Sequence, residues 1–320
     1  MTVASRSLFS SLSRSLGCMM TALSISPAIS ADVWQEVEHG FVDNDGVKIH
    51  YAAMGDGPLV VMIHGFPDFW YSWRHQMDGL KGNYRVVAID QRGYNQSDKP
   101  TGNENYAMPR MVSDIAAVIA HFGVDKATVV GHDWGGMVAW NVAFRRPELV
   151  ERLVIMNLPH PNGLNREMTI NPDQRANSDY AQRFKAGSPT DPDIFFDGPM
   201  TPQTLSSWVT DPEVRVRYQE AFEHSDFDAM LAYYKQNYPD LPEFSDQAPP
   251  PNPHIPKPTM PVLIFHGLAD TALDARGLNN TWEWIDAETT IVTIPGAGHF
   301  VQQDAAEKVT NTLTWWLSAH

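Results

Sequence analysis

Four turns in this 320-residue chain carry residue types that could do chemistry. Gly131-His132-Asp133-Trp134-Gly135-Gly136 has the spacing of a nucleophile elbow, a sharp strand-to-helix turn that lifts its central residue to a helix N-terminus. That position usually holds serine; here it holds Asp133. A carboxylate needs no base at neutral pH and can attack an electrophilic carbon to form an ester. Taken alone, Asp133 could equally cap the helix that follows. His64-Gly65-Phe66-Pro67 forms a second turn whose Phe66 amide could face a developing oxyanion, with the Trp134 amide as the other donor. The third turn is Gly267-Leu268-Ala269-Asp270 and the fourth Gly296-Ala297-Gly298-His299-Phe300. The order Asp133, Asp270, His299 is that of nucleophile, acid and histidine. Asp274 is a rival acid deeper in the next segment. The turn after the fourth parallel strand offers Asn157 and no acid, which favours Asp270.

These turns need elements to hold them. Gln35–Val42 and Val47–Ala53 read as two β stretches joined by an Asp-Gly turn. Apolar runs at Pro58–Ile63, Tyr84–Asp90, Ala127–His132 and Leu153–Met156 read as buried parallel strands. Met111, Ile115, Val118, Ile119 and Phe122 share a helix face, and a second helix covers about 134–144. The alternation predicts an α/β fold with a mainly parallel, doubly wound sheet. From about Pro159 to Pro258 strand signals stop and polar helical segments take over; seven prolines in Pro249–Pro261 read as a stiff linker. Strands resume at Val262–His266 and Thr290–Ile294, and a last helix covers about 305–317. In a parallel sheet a ligand sits beyond the carboxyl ends of the strands, where all four turns lie.

The net charge of −15 argues against a nucleic-acid partner and against docking on an anionic membrane, both of which call for Lys/Arg. A single cysteine excludes an internal disulfide and a Cys-cluster metal site. Residues 1–31 hold Arg6, Arg14 and no acid, then a mildly apolar stretch and a small-residue run at Ala28-Ile29-Ser30-Ala31. That is the layout of a signal peptide, and predicts an exported (periplasmic or secreted) protein. A transit peptide, a disordered tail or a lipoprotein site at Cys18 are the competing readings. Cleavage would leave a Cys-free chain and deepen the charge to −17 by loss of the two arginines.

The sequence resembles an epoxide hydrolase of the α/β-hydrolase fold, the Asp-nucleophile subgroup close to haloalkane dehalogenases. The resemblance is carried by His64-Gly65-Phe66-Pro67 with Trp70-Tyr71-Ser72-Trp73-Arg74-His75-Gln76, by Asp90-Gln91-Arg92-Gly93-Tyr94, by the elbow and by Gly298-His299. It covers residues 35–320. It implies a hydrolase core in two parts, 32–158 and 259–320, split by a helical lid at 159–258. Two lid tyrosines would hold the epoxide oxygen. Tyr180 matches the first lid motif and Tyr234 the second, although Tyr233 stands where the family usually has Trp, so either of that pair could face inward. The implied reaction opens a small neutral epoxide with water to a diol through an ester on Asp133. His299, oriented by Asp270, would activate the water, and Phe66 and Trp134 would form the oxyanion hole. Trp134, with both tyrosines, would also touch substrate. No metal or organic cofactor is expected. The alternatives are a haloalkane dehalogenase, with Trp134 as a halide donor, and a secreted non-catalytic hydrolase-like protein.

Overall fold

Residues with no polar side chain for four or five positions in a row make the centre of the sheet, because a parallel strand is covered on both faces. The computed structural model describes residues 32–196 and 198–320, so the leader expected at 1–31, with Cys18, lies outside the described residues. The strands are β1 (Glu38–Asn44), β2 (Val47–Met54), β3 (Leu59–Ile63), β4 (Arg85–Ile89), β5 (Ala127–His132), β6 (Val150–Met156), β7 (Val262–Gly267) and β8 (Thr289–Ile294). They form one sheet in the order β1-β2-β4-β3-β5-β6-β7-β8, in which β2 runs antiparallel to both its neighbours, β1 and β4, and every other pair is parallel. Every residue of β3, β5 and β7 is buried. The chain leaves β4 on one side of β3 and returns as β5 on the other. That places the reversal of strand order between β3 and β5, where the Phe66 and Asp133 turns emerge.

Twelve α-helices surround the sheet among the described residues. The first four are α1 (Val33–Glu36), α2 (Arg74–Leu80), α3 (Met108–His121) and α4 (Trp134–Arg145). Between β6 and β7 come α5 (Pro161–Ile170), α6 (Pro172–Asn177), α7 (Asp179–Ala186), α8 (Pro202–Leu205), α9 (Pro212–Glu223) and α10 (Phe227–Asn237). The chain ends with α11 (Val301–Asp304) and α12 (Ala306–Ala319). Among the described residues the run from α5 to α10 contains no strand, only an isolated bridge between Phe195 and Gly198. The proline-rich stretch that follows has neither helix nor strand until β7.

Two local differences from the sequence reading have simple causes. Gln35 and Glu36, read as the start of a β stretch, instead end the helical turn Val33–Glu36, because the Asp32 carboxylate accepts from the Trp34 amide and caps that turn. The helix α2, not anticipated, is two turns long and carries too few residues to show a period. The Asp-Gly turn is as expected: Asp45 and Gly46 both have positive φ, 55° and 84°, and the flanking Asn44 and Val47 pair directly.

Candidate active site

The elbow is built by its glycines. Gly131 and Gly135 face each other so closely that a Cβ on either would strike backbone, of Gly135 in one case and of Ile63 in the other. The turn throws Asp133 to φ 51°, ψ −120°, a conformation costly for any residue with a Cβ. The Asp133 carboxylate accepts no hydrogen bond from the first turn of α4, which disposes of the simple capping role. Its Oδ1 instead accepts from the Phe66 amide at 2.8 Å, across from β3. The Trp134 amide does not hydrogen-bond the carboxylate.

The other oxygen, Oδ2, lies 3.5 Å from His299 Nε2. On the far side of the ring, His299 Nδ1 is 2.9 Å from Asp270 Oδ2. The Asp270 side chain is 1% exposed and well bound: its Oδ1 accepts from the amides of Ala272 and Leu273, and its Oδ2 from Asn157 Nδ2 at 2.7 Å. Such a carboxylate holds the imidazole with a proton on Nδ1 and directs Nε2 at Asp133. Asp274 is not part of this line; it caps a short 3-10 turn and pairs with Arg276.

Charge follows from this packing. Burial pushes the Asp270 carboxyl up, but the His299 charge and hydrogen bond, Asn157 and the Ala272 amide outweigh it and hold the group far below its usual range. Burial also pushes Asp133 up, and His299 and the Phe66 amide bring it below its ordinary value. His299 is pushed down by burial and up, by more, by Asp270 and Asp133. The balance favours the imidazolium form of His299, held between the two carboxylates.

Above Asp133 lies a cavity of about 340 Å³. Its wall includes Asp133, His299, Tyr180, Tyr234, Phe66, Phe184, Phe195, Phe300 and Trp208, and Arg183 is its one other cation among the described residues. Helix α7 supplies Tyr180 and α10 supplies Tyr234, their rings 6.3 Å apart at 76°. Burial first, then the Asp133 charge, pushes the Tyr180 phenol well above 10; burial does the same for Tyr234. Both remain proton donors. Tyr233 is the one of the pair that turns away: its hydroxyl donates to the Arg92 carbonyl at 2.8 Å.

Trp134, expected to touch substrate, is absent from the cavity wall; its indole packs edge-on against Tyr234 at 5.0 Å. Two supporting residues escaped the sequence reading. Asn157 was weighed only as an acid that is missing, yet it is a donor to Asp270 and to the Gly298 carbonyl. His132 sits beside the nucleophile, with Nε2 2.8 Å from the His299 carbonyl oxygen. Burial, then the nearby His299 charge, pushes its imidazole down to about 4, so it stays neutral and donates from Nε2. A second cavity of about 350 Å³, lined by Trp34, His39, Trp70 and Glu220 among others, contains none of these groups. Among the described residues no cluster of His, Cys, Asp and Glu is arranged to hold a metal ion, and no helix is long and apolar enough to cross a membrane.

Comparison with known proteins agrees with this arrangement. Residues 58–189 match the α/β hydrolase fold family. The chain is 47% identical over 148 residues to an AB hydrolase superfamily protein of Bacillus subtilis, a match that takes in 45% of this chain and spans about half (52%) of that relative. It is 32% identical over 299 residues to epoxide hydrolase 1 of Caenorhabditis elegans, covering 86% of this chain and 69% of the worm protein. Among solved structures, an epoxide hydrolase from metagenomes of hot environments superposes with a TM-score of 0.79 at 32% identity, over 88% of this chain and 99% of that one.

Proposed function

Since the chain belongs to the epoxide hydrolases of the α/β-hydrolase fold, we propose that it opens an epoxide to a vicinal diol in two steps at Asp133. The observation that carries this reading is the line Asp270–His299–Asp133 ending beneath two un-ionised phenols in one cavity. Asp133 Oδ2 attacks the less hindered epoxide carbon while Oδ1 stays on the Phe66 amide. The carbon–oxygen bond of the ring breaks as the new ester bond forms, and the alkoxide takes a proton from Tyr180 or Tyr234.

The ester changes the charge around His299. Asp133 is now neutral, so one of the two carboxylates that raise the imidazole is gone, and the ring gives up its proton, which returns to the phenolate left by ring opening. Neutral Nε2 then takes a proton from water, whose oxygen attacks the ester carbonyl carbon. The oxyanion on Oδ1 is held by the Phe66 amide and, as the geometry shifts, the Trp134 amide. Collapse breaks the ester bond to the alkyl oxygen as His299 hands that departing oxygen a proton, which completes the diol; the carboxylic acid left on Asp133 then returns its proton to His299, and the carboxylate is restored. The segment α5–α10 acts as the lid that brings the two phenols to the core. Residues 1–31 act as an export signal, checked by N-terminal sequencing of protein from a native-type host; an intact Met1 refutes that part.

The test is a screen of epoxides with wild type, Asp133→Ala and His299→Gln. Wild type makes diol, Asp133→Ala does not, and His299→Gln accumulates a species heavier by the mass of the epoxide, located on Asp133. An unchanged diol rate in Asp133→Ala would overturn the assignment. Dehalogenation is the weaker reading, because the two phenols that face Asp133 in the cavity have no use in releasing halide. Halide release from a haloalkane panel without diol formation from epoxides would favour it.

A further inference from the structure

Asp68 is a fully buried carboxylate with no part in the chemistry above. It lies two residues after Phe66, whose amide holds Asp133 Oδ1. Three donors converge on it from different elements. The Phe69 amide donates to Oδ1 at 2.9 Å, from its own turn. The Tyr218 hydroxyl, on α9, donates to Oδ1 at 2.6 Å. Gln303 Nε2, on α11 and four residues after His299, donates to Oδ2 at 3.3 Å. The amide of Gln303 is held in one orientation, because its Oε1 accepts from Arg74 Nη1 at 2.8 Å. With Oε1 turned to Arg74, Nε2 faces the Tyr218 hydroxyl, at 3.1 Å, and Asp68 together.

The hydrogen bonds therefore run one way, from Arg74 through Gln303 and from Tyr218 and Phe69, all toward Asp68. This set fits an ionised carboxylate, which only accepts. A protonated acid, or an amide, would put a donor against the Gln303 donor. Tyr218 in turn packs edge-on against Phe69 at 4.9 Å and Trp208 at 5.3 Å, and Trp208 stacks on Phe300 in the wall of the cavity.

We infer that Asp68 is a positioning residue for the epoxide-opening reaction: its carboxylate ties α9, the Phe66 turn and the His299 segment into one unit over Asp133. This rests on the reading of Asp133 as nucleophile. Asp68 acts through Tyr218 and Gln303 and touches no reacting atom. Burial pushes its carboxyl up to about 7, against the hydrogen bonds of Tyr218 and Phe69 and the charge of Arg74. The ionisable groups facing it are thus Arg74 on α2 and Tyr218 on α9, together with the buried Tyr94, which senses its charge. The knot tightens as pH rises through about 7.

The experiment compares wild type, Asp68→Asn and Tyr218→Phe on an epoxide that wild type turns over, with single-turnover ester formation measured from pH 5.5 to 9. Wild type should gain rate as pH rises through about 7. Asp68→Asn should lose this step and run about tenfold slower at high pH, the size expected for loss of charge-assisted hydrogen bonds. Tyr218→Phe keeps Asp68 but removes a bond that favours its charge, so the step should remain and move to higher pH. If Asp68→Asn does not fold, Tyr218→Phe decides alone. A pH profile in either folded variant that superposes on wild type overturns the inference, even if the variant is less stable. No diol from wild type on any epoxide would instead refute the nucleophile reading.

Discussion

At the scale of the residue, the histidine is governed by what stands at its back. Asp270 raises His299 by its charge, so Asp270→Asn should lower the imidazole pKa. The acid limb of kcat then moves to lower pH, because less alkaline solution suffices to free Nε2. The plateau should fall by roughly 10²–10⁴-fold, since an amide no longer fixes the Nδ1 proton or steadies the imidazolium. The full pH profile of kcat separates the two effects; a limb that stays in place would show that Asp270 does not set the base. Asn157→Ala should cost about tenfold in ester hydrolysis and leave ester formation nearly intact, because it removes a donor to Asp270 and nothing at Asp133. A stopped-flow burst of unchanged amplitude followed by a slower steady state is the expected trace. Asp133, Asp270 and His299 were legible in the sequence because each follows a strand at a glycine-marked turn. Asn157 was not, because its work depends on β6 and β7 being neighbours, and an amide carries no catalytic signature of its own.

At the scale of the element, adjacent residues on α10 do different jobs, because a helix turns about 100° per residue. Tyr234 faces the cavity and Tyr233 the core, where it satisfies the Arg92 carbonyl. Tyr234→Phe should slow ester formation about tenfold while Tyr180 still supplies one phenol. Tyr233→Phe should leave kcat/KM within about twofold but cost about 1–3 kcal/mol in urea unfolding, the penalty for a buried carbonyl left without its donor. The reverse pattern would mean that the pair is assigned the wrong way round. Sequence alone could not choose between the two tyrosines, since the choice depends on how α10 seats against the core. The parallel strands were legible because unbroken apolar runs are what a sheet buried on both faces demands. Helix α2 and the single turn α1 were not, because fewer than two or so turns leave no period to read.

At the scale of the whole molecule, buried histidines set the acid limit. His64, His132, His160 and His266 are all fully buried, and in each case burial is the main cause that depresses the imidazole, to about 4 in His132 and about 3 in His160. A lowered histidine binds its proton only in the unfolded chain over the range between its folded pKa and ordinary values near 6.5. Stability from such a group is complete above about 6.5 and is lost as pH falls, at about 1.4 kcal/mol per pH unit per histidine. Asp68 opposes this trend: with its carboxyl near 7 it takes up a proton in the folded chain first, so it favours the fold on acidification. Asp114 and Asp304, whose carboxyls burial also raises, act in the same sense as Asp68, but the four buried histidines outnumber these three carboxyls, and the net prediction is a fall in stability between pH 6.5 and 4. His160 is the cleanest lever. It is remote from Asp133, boxed by Trp140, Phe144 and Trp284, with Nδ1 accepting from the Asn162 amide. His160→Phe keeps the aromatic packing and removes one proton from the balance. Urea unfolding at pH 6.5, 5.5 and 4.5 should then show a slope shallower than wild type by about 1.4 kcal/mol per pH unit. Parallel slopes would mean that His160 is protonated alike in the folded and unfolded chain, and that acid unfolds this protein through its carboxylates instead.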